Sequence, residues 1–147
     1  MSWTDREKTL ATITVICATL LVVAVLTANW HISSYGTVKT FGFKIYRDQQ
    51  CTLNLTSINW GSLAPGDVAA GDAYAKNTKN TALTLSMNTS NWIPASAKGY
   101  LSFSWNYTGS VILPQKVLPL RLTLKVWENV TGVDAFSFDI NIYAKET

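Results

Sequence analysis

The stretch LPLRLTLKVW, residues 118–127, gives the most direct evidence of the fold. Apolar side chains stand at every second position from Leu118 to Val126, and mostly polar ones occupy the positions between them. This period of two is typical of a β-strand that has one face in a core and the other in water. Because Pro119 has no N–H to donate to a ladder, the strand is predicted to begin late or to lie at a sheet edge there.

Two neighbouring stretches, residues 101–107 and 136–142, show the same alternation. Weaker strand candidates precede them at residues 34–46, 52–58, 68–76 and 83–87. In the first of these, the residues predicted to share the buried face are Phe41, Phe43 and Ile45. Turn signals separate the candidates, above all Pro65-Gly66-Asp67 and the polar run 77–80.

The strand candidates recur at intervals of about ten residues, and no helical stripe interrupts them. They predict an all-β fold, an immunoglobulin-like β-sandwich of about seven strands. The Cys…Trp…Cys signature of antibody domains is absent, so the predicted likeness concerns the architecture and not the antibody family.

A different pattern occupies the N-terminus, where TLATITVICATLLVVAVLTA (Thr9–Ala28) contains no charged residue. A helix over this segment would be roughly 30 Å long, which matches the hydrocarbon core of a bilayer. Trp3 and Trp30 bracket the segment, as aromatic side chains do at the two membrane interfaces. We therefore predict a short cytoplasmic N-terminus at 1–8, a single transmembrane helix (a signal anchor) at 9–28, a stalk or first strand at 29–40 and an extracellular sandwich domain at 41–147.

The charges beside the apolar segment predict its orientation. Arg6 and Lys8 precede it, so the positive-inside rule places the N-terminus in the cytoplasm and the domain outside. A cleaved signal peptide ending at Ala28 is the alternative, although Leu26 stands where a small residue is preferred. Under both interpretations the domain is extracellular, and under the first the protein is a single-pass protein of the cell membrane.

Four Asn-x-Ser/Thr sequons favour an exported glycoprotein. The candidate glycosylation sites are Asn54, Asn88, Asn106 and Asn129. Tryptophan offers a second kind of site, because sugars stack on exposed indole rings. The distal tryptophans, which either form such a platform or pack in the core and at strand ends, are Trp60, Trp92, Trp105 and Trp127.

Residues that carry catalysis or bind metals are few. His31 is the single histidine, so the chain has no Ser-His-Asp arrangement and no histidine-based metal cluster. The carboxylates considered for a calcium site lack D-x-D-x-D-G spacing; they are Asp48, Asp67 and Asp72. We therefore predict no catalytic residue, no cofactor, no metal and no enzyme activity. The basic residues stand singly, which argues against a nucleic-acid surface.

The two cysteines do not predict a disulfide framework. Cys17 lies within the apolar segment and Cys51 in the exported part, so they cannot bridge each other within one anchored chain. Cys51 is interpreted as a small, half-buried strand residue, with an intermolecular bridge as the alternative.

Three strings resemble a group of archaeal membrane-anchored surface proteins of unassigned activity: CTLNLTSINWGSLAPGD (51–67), YAKNTKNTALTLSMNTSNWIPASAKGYLSFSW (74–105) and FSFDINIYA (136–144). The resemblance covers nearly the whole chain and implies an N-terminal hydrophobic segment followed by one immunoglobulin-like sandwich. More loosely, the unit of a Pro-Gly-Asp turn, a strand, an Asn-rich turn and a second strand is similar to TasA/camelysin biofilm-fibre proteins. The first resemblance implies fold and location, and it implies no activity.

Together these patterns predict a membrane-anchored extracellular domain with a structural, adhesive or assembly role at the cell envelope. The alternatives are a glycan-binding module and an accessory subunit of a membrane protein complex. A further alternative is a filament subunit whose residues 29–39 act as a donor strand for a neighbour. The predicted partners are membrane lipid, other proteins or further copies of the chain, and a glycan, but no nucleic acid.

Overall fold

The structure, a computed structural model, describes residues 32–41 and 43–147. Eight β-strands follow one another in these residues: β1 Ile32–Phe41, β2 Lys44–Tyr46, β3 Ser57–Leu63, β4 Val68–Lys76, β5 Leu83–Ile93, β6 Leu101–Trp105, β7 Val117–Val126 and β8 Ala135–Glu146. A short 3-10 helix, Ala95–Gly99, precedes β6. The apolar segment 9–28 lies outside the described residues, as do Trp3, Cys17, Trp30 and His31.

The strands form two four-stranded sheets, with the orders β3-β1-β8-β5 and β2-β4-β7-β6. All neighbouring strands are antiparallel except β1 and β8, which run parallel from the pair Ser33 and Ala135 to the pair Phe41 and Tyr143. Side chains from both sheets share one buried apolar cluster. The described chain is therefore a β-sandwich, which confirms the predicted all-β class.

The core lies between two apolar stripes, one from each sheet. In β7 the stripe is Leu120, Leu122, Leu124 and Val126, and in β8 it is Phe136, Phe138, Ile140 and Ile142. All eight side chains are buried, as the period of two predicts. Each contributes about 1.5–3 kcal/mol of transfer free energy relative to an exposed position.

Pro119 lies where β7 has an open side. The facing strand β6 pairs only with residues 122–126 of β7. The backbone N–H and C=O of Arg121 point to that same side, where both bond to Asn106. Because alternate residues of a strand direct their backbone groups to one side, the nitrogen of Pro119 faces the gap beyond β6. β7 is an interior strand, but at Pro119 it has no neighbour on one side, so the predicted edge position of this proline is found.

The predicted single strand over 34–46 is two strands in different sheets. β1 belongs to the first sheet and β2 to the second, and the chain crosses between them after Phe41. Buried positions are even-numbered in β1, as at Ile32, and odd-numbered afterwards, at Phe43 and Ile45. The shared face of Phe43 and Ile45 is confirmed, and the crossing explains the change of phase. The predicted stalk or first strand is, over its described part, the first strand.

The strand predicted at 52–58 is wrong, because the strand begins at Ser57 and residues 47–56 form a loop. In that loop Leu53 is 60% exposed, and Cys51 has a positive φ of 58°, which is loop and not strand geometry. Of the two alternating leucines only Leu55 points inward. Its N–H donates to the Ile45 carbonyl, which ties this part of the loop to β2.

A β-bulge in β3 turns Trp60 into the core. Ser34 pairs with Gly61 and Tyr35 with Asn59, so Trp60 has no partner on β1. Gly61 has a φ of +78°, the left-handed conformation that such a bulge requires. The bulge leaves Trp60 only 7% exposed. On β1 the indole meets Gly36, where an added Cβ would lie 3.1 Å from the indole nitrogen.

The two ends of the sandwich differ in the loops that they carry. We call the end at which β1 begins the near end; it carries the turn 64–67 and the loop 127–134. The opposite, far end carries the loop 77–82 and residues 110–116. At the near end, Pro65 and Gly66 form the predicted turn, which Asp67 closes by accepting a hydrogen bond from Ala64 N–H at 2.7 Å.

Asn77 fastens the loops of the far end. The predicted polar turn is found, yet its first residue is only 1% exposed. The Asn77 amide donates to the carbonyls of Thr81 at 2.8 Å and Ile112 at 2.9 Å, and its oxygen accepts from Lys79 N–H at 2.9 Å. Its backbone N–H donates to the carbonyl of Lys116 at 3.0 Å. One asparagine thus joins the β4–β5 loop to the β6–β7 loop.

Asn77→Ala is expected to lower the free energy of unfolding by about 1–3 kcal/mol. The Thr81 carbonyl loses its side-chain donor, the Lys79 N–H loses its acceptor, and the Ile112 carbonyl keeps only the Leu83 N–H. Tryptophan fluorescence in a denaturant titration measures the change. Asn80→Ala is the matched control, since Asn80 is exposed in the same loop, and it should shift the free energy by less than about 0.5 kcal/mol. Equal transition midpoints for the two variants would contradict the role given to Asn77.

Candidate functional site

The four sequons occupy different backbone environments. Asn54 lies in the β2–β3 loop, where its backbone forms a bridge with Tyr46. The following residues are also paired, because Leu55 N–H donates to the Ile45 carbonyl and the Thr56 carbonyl accepts from Val38 N–H. This sequon is therefore held to the sandwich on both sides of its chain.

Asn88 and Asn106 are held by their side chains as well. The Asn141 amide donates to Asn88 Oδ1 at 3.0 Å and to Ser90 Oγ at 2.9 Å, so both polar residues of the Asn88 sequon are engaged. Asn141 itself is 7% exposed. Asn106 Oδ1 accepts from Arg121 N–H at 2.8 Å, and Asn106 N–H donates to the Arg121 carbonyl at 3.1 Å.

Asn129 lies in an exposed turn at the near end. The turn is closed by the Val130 N–H, which donates to the Trp127 carbonyl at 3.2 Å. Within the described residues no hydrogen bond holds the Asn129 side chain. Asn129 and Trp127 line a surface cavity of about 410 Å³ together with Gly66, Lys125 and Glu128. The Lys125 ammonium lies 4.4 Å from the centre of the Trp127 ring, a cation–π contact.

The structure does not bring the four candidate tryptophans together. Trp60 is buried edge-on to Phe103, with the ring centres 5.9 Å apart. Trp92 is half-buried and stacks on Phe138 at 4.2 Å with an angle of 4° between the planes. Trp105 is half-buried against Tyr107. Of the four, only Trp127 is exposed, with 44% of its surface accessible. A stacking platform of paired tryptophans is not formed.

The three carboxylates considered for calcium lie apart. Asp67 closes the near-end turn, Asp72 pairs with Arg121 on β7 at 2.9 Å, and Asp48 binds backbone groups of the β2–β3 loop. Among residues 32–41 and 43–147, no three His, Cys, Asp or Glu side chains are grouped so that they could hold a metal ion. These carboxylates therefore act as turn and surface residues in this fold.

The free edge of β5 is covered over its first half, which the sequence did not indicate. Leu83 and Ile112 exchange backbone hydrogen bonds of 3.0 and 2.8 Å. Two residues on, Leu85 N–H donates to the Tyr107 hydroxyl at 3.0 Å, and this hydroxyl donates to the Ser110 carbonyl at 2.7 Å. Here the Tyr107 hydroxyl takes the place of a neighbouring strand, and a single side chain produces no periodic pattern in the sequence. In the sequence, the one sign of this cover is Tyr107 itself, at the end of the alternation predicted for residues 101–107.

Asp48 organises the loop that precedes β3. Its carboxylate accepts from Thr52 N–H at 3.0 Å, from Leu53 N–H at 2.8 Å and from the Thr52 hydroxyl at 2.8 Å. These donors, the Thr52 backbone first, hold the pKa of Asp48 below its ordinary value. The Cys51 N–H donates to the Asp48 carbonyl at 3.0 Å, which fixes the left-handed turn at Cys51.

Comparison with known proteins identifies no relative of this chain. No protein-family model matches the chain, and no curated protein matches it. Over residues 32–41 and 43–147, no helix has the length and apolar character needed to cross a bilayer. The function is therefore inferred from the contacts of the described residues and from the sequence.

The Asp48 loop is expected to open in acid. A carboxylate with a lowered folded pKa stabilises the fold above its unfolded pKa, and this stabilisation is lost as the pH falls through the folded pKa. The amide resonances of Thr52 and Leu53 in the full chain should therefore titrate with a midpoint below about 3.9, the value of an unperturbed aspartate. In Asp48→Asn this transition should vanish; if it persists there, another group holds the loop.

Proposed function

We propose that the chain is a single-pass, membrane-anchored extracellular β-sandwich with a structural, adhesive or assembly role at the cell envelope. The observation that supports this most is the position of β1. Its first residue, Ile32, follows the apolar segment 9–28 after only three residues. A transmembrane helix at 9–28 would therefore attach the near end of the sandwich directly to the bilayer surface and present the far end to the medium.

The far end has the composition of a contact surface. Folding gathers there five lysines, of which only Lys76 and Lys79 are close in the sequence: Lys44, Lys76, Lys79, Lys116 and Lys145. Of these, Lys79 is paired with Glu146. Exposed apolar side chains accompany them at Val111 and Leu113. Lysines and exposed apolar groups at the same end support adhesion to an acidic partner at the envelope.

The immunoglobulin-like assignment belongs to this proposal. Two packed sheets, joined mostly by connections that cross between the sheets, support it. In chain order the constant-type domain reads 1-2-5-4 and 3-6-7, whereas the two sheets here read 3-1-8-5 and 2-4-7-6. The likeness is therefore one of two-layer architecture, with a different course of the chain.

Protease added to intact cells tests the topology. The domain should be digested from about residue 32 onward, while the segment at 9–28 stays protected by the bilayer. A cytoplasmic protein serves as the control for intact membranes and should survive. A domain that resists until detergent dissolves the membrane would place it on the inner side and remove the proposed function.

The donor-strand hypothesis makes a separate claim about β1. In the structure β1 lies inside its own sheet, between β3 and β8, with Tyr35 opposite Ser137 on the outer face. The paired substitutions Tyr35→Cys and Ser137→Cys, in a chain with Cys17→Ser and Cys51→Ser, distinguish the two arrangements. Oxidation should give a cross-linked monomer in non-reducing electrophoresis. A ladder of covalent oligomers would show instead that β1 is supplied by a neighbouring copy.

The glycan-binding and accessory-subunit hypotheses receive no support from the described residues. A glycan-binding module calls for an exposed pair of coplanar rings, and three of the four candidate tryptophans are buried or half-buried. An accessory subunit calls for partner chains around residues 9–28, which lie outside the described residues.

A further inference from the structure

We propose that Asn129 is the sequon that carries an N-linked glycan and that Trp127 packs against its first sugar. The inference rests on the proposed function, because glycan transfer requires an exported domain. It adds a modification site with a defined acceptor atom, Asn129 Nδ2, and a binding surface for the product, the exposed indole of Trp127.

The four sequons differ in how firmly hydrogen bonds hold them to the strands, and this difference favours Asn129. In the folded domain, three of the four sequons are tied to strands: Asn54 through Tyr46, Asn88 through Asn141 and Asn106 through Arg121. A transferase that binds one of them must first break these hydrogen bonds. The Asn129 sequon lies beyond the end of β7, in a turn closed by one bond between Val130 and Trp127. Its segment can enter an enzyme cleft without opening a sheet.

The sequon's second polar residue is also accessible. Sequon recognition requires the hydroxyl two residues after the asparagine. In the Asn88 sequon this hydroxyl, Ser90 Oγ, accepts a hydrogen bond from the largely buried Asn141. In the Asn129 sequon it belongs to Thr131, which is exposed in the β7–β8 loop. Both groups that a transferase reads are therefore presented together at this site.

Trp127 is placed to receive the sugar. It precedes Asn129 by two residues, the turn brings both to one cavity, and the indole is 44% exposed although it is a large apolar group. The apolar C–H face of a pyranose ring covers such a surface well, and the Lys125 ammonium beside the ring is a donor for sugar hydroxyls. A glycan on Asn129 would thus shield an indole that otherwise faces water.

The transfer step uses a lipid-linked oligosaccharide, a polyprenyl phosphate or diphosphate, as the sugar donor. Asn129 Nδ2 attacks C1 of the first sugar, and a C–N bond forms as the bond from C1 to the phosphate oxygen breaks. The phosphate leaves with the bonding electron pair, and the amide nitrogen loses one proton to a basic group of the transferase. No oxidant or reductant is consumed. The loop lies at the near end, the end that the proposed anchor places beside the membrane holding this donor.

Glycopeptide mass spectrometry on the full chain, purified from its own membranes, tests the site. The glycan mass should be found on the peptide with Asn129, and Asn129→Gln should remove it. Asn106→Gln is the matched control and should leave the glycan mass unchanged. A bare Asn129 beside an occupied Asn54, Asn88 or Asn106 would overturn the assignment.

The stacking is tested separately by unfolding temperature. Trp127→Ala should lower the Tm of the glycosylated chain by about 3–6 °C, since a surface contact of this kind is worth about 1 kcal/mol. In the Asn129→Gln background the same substitution should lower the Tm by clearly less, because only the contacts of Trp127 within the protein, such as that with Lys125, are lost there. Trp127→Tyr should retain most of the stabilisation that the glycan adds. Equal losses in both backgrounds would mean that Trp127 packs only against protein. A fluorescence shift on phospholipid vesicles that Asn129→Gln shows and that Asn129→Gln with Trp127→Phe lacks would assign the ring to lipid instead, and would likewise overturn the stacking.

Failure of this inference is distinguishable from failure of the proposed function. A domain that protease reaches on intact cells, with no glycan on Asn129, overturns the glycan site and leaves the envelope role standing. A domain that is protected until the membrane is dissolved removes both.

Discussion

The buried apolar cluster that contains the stripes of β7 and β8 is the constraint on which the sandwich rests. β7 is flanked by β4 and β6 in one sheet, and β8 by β1 and β5 in the other, so the two stripes hold six of the eight strands in place. Their side chains are buried from Leu120 to Val126 and from Phe136 to Ile142. The remaining strands, β2 and β3, are edges added to this centre, and the loops that carry sequons and exposed aromatics are arranged around it.

The sequence predicts the strands that are specified by neighbouring residues. It fails to predict a strand whose position depends on a residue far away in the chain. The alternations of β6, β7 and β8 and the turn at Pro65-Gly66 are correct because each is specified by neighbouring residues. β3 is misplaced because its inward residue, Trp60, depends on a bulge and on the space above Gly36, a residue of another strand. The sequons could be found in the sequence because each is a motif of three neighbouring residues. The hydrogen bond that distinguishes Asn88 from Asn129 could not, because it comes from Asn141 on another strand.

The free edge of β5 is shortened by groups that lie beside it. On β5 the first half is occupied by Ile112 and Tyr107, and the strand is interrupted again where Asn91 adopts a φ of 52° and its amide donates to Asp139. Between these points only the backbone of residues 87–89 is open on the outer side. Such a short edge is a poor template for another strand.

The parallel pairing of β1 with β8 sets the order in which the chain completes its fold. Of the eight described strands, β1 comes first in the chain, and its pairing with β8 forms only after about a hundred further residues have been made. β5 waits for the same strand, because β8 lies between it and β1. Until translation reaches residues 135–146, the growing chain holds half of one sheet open and its apolar faces uncovered. Within this domain β8 is therefore the strand that joins β1 to β5, and a chain that stops before it leaves those two strands without their shared neighbour.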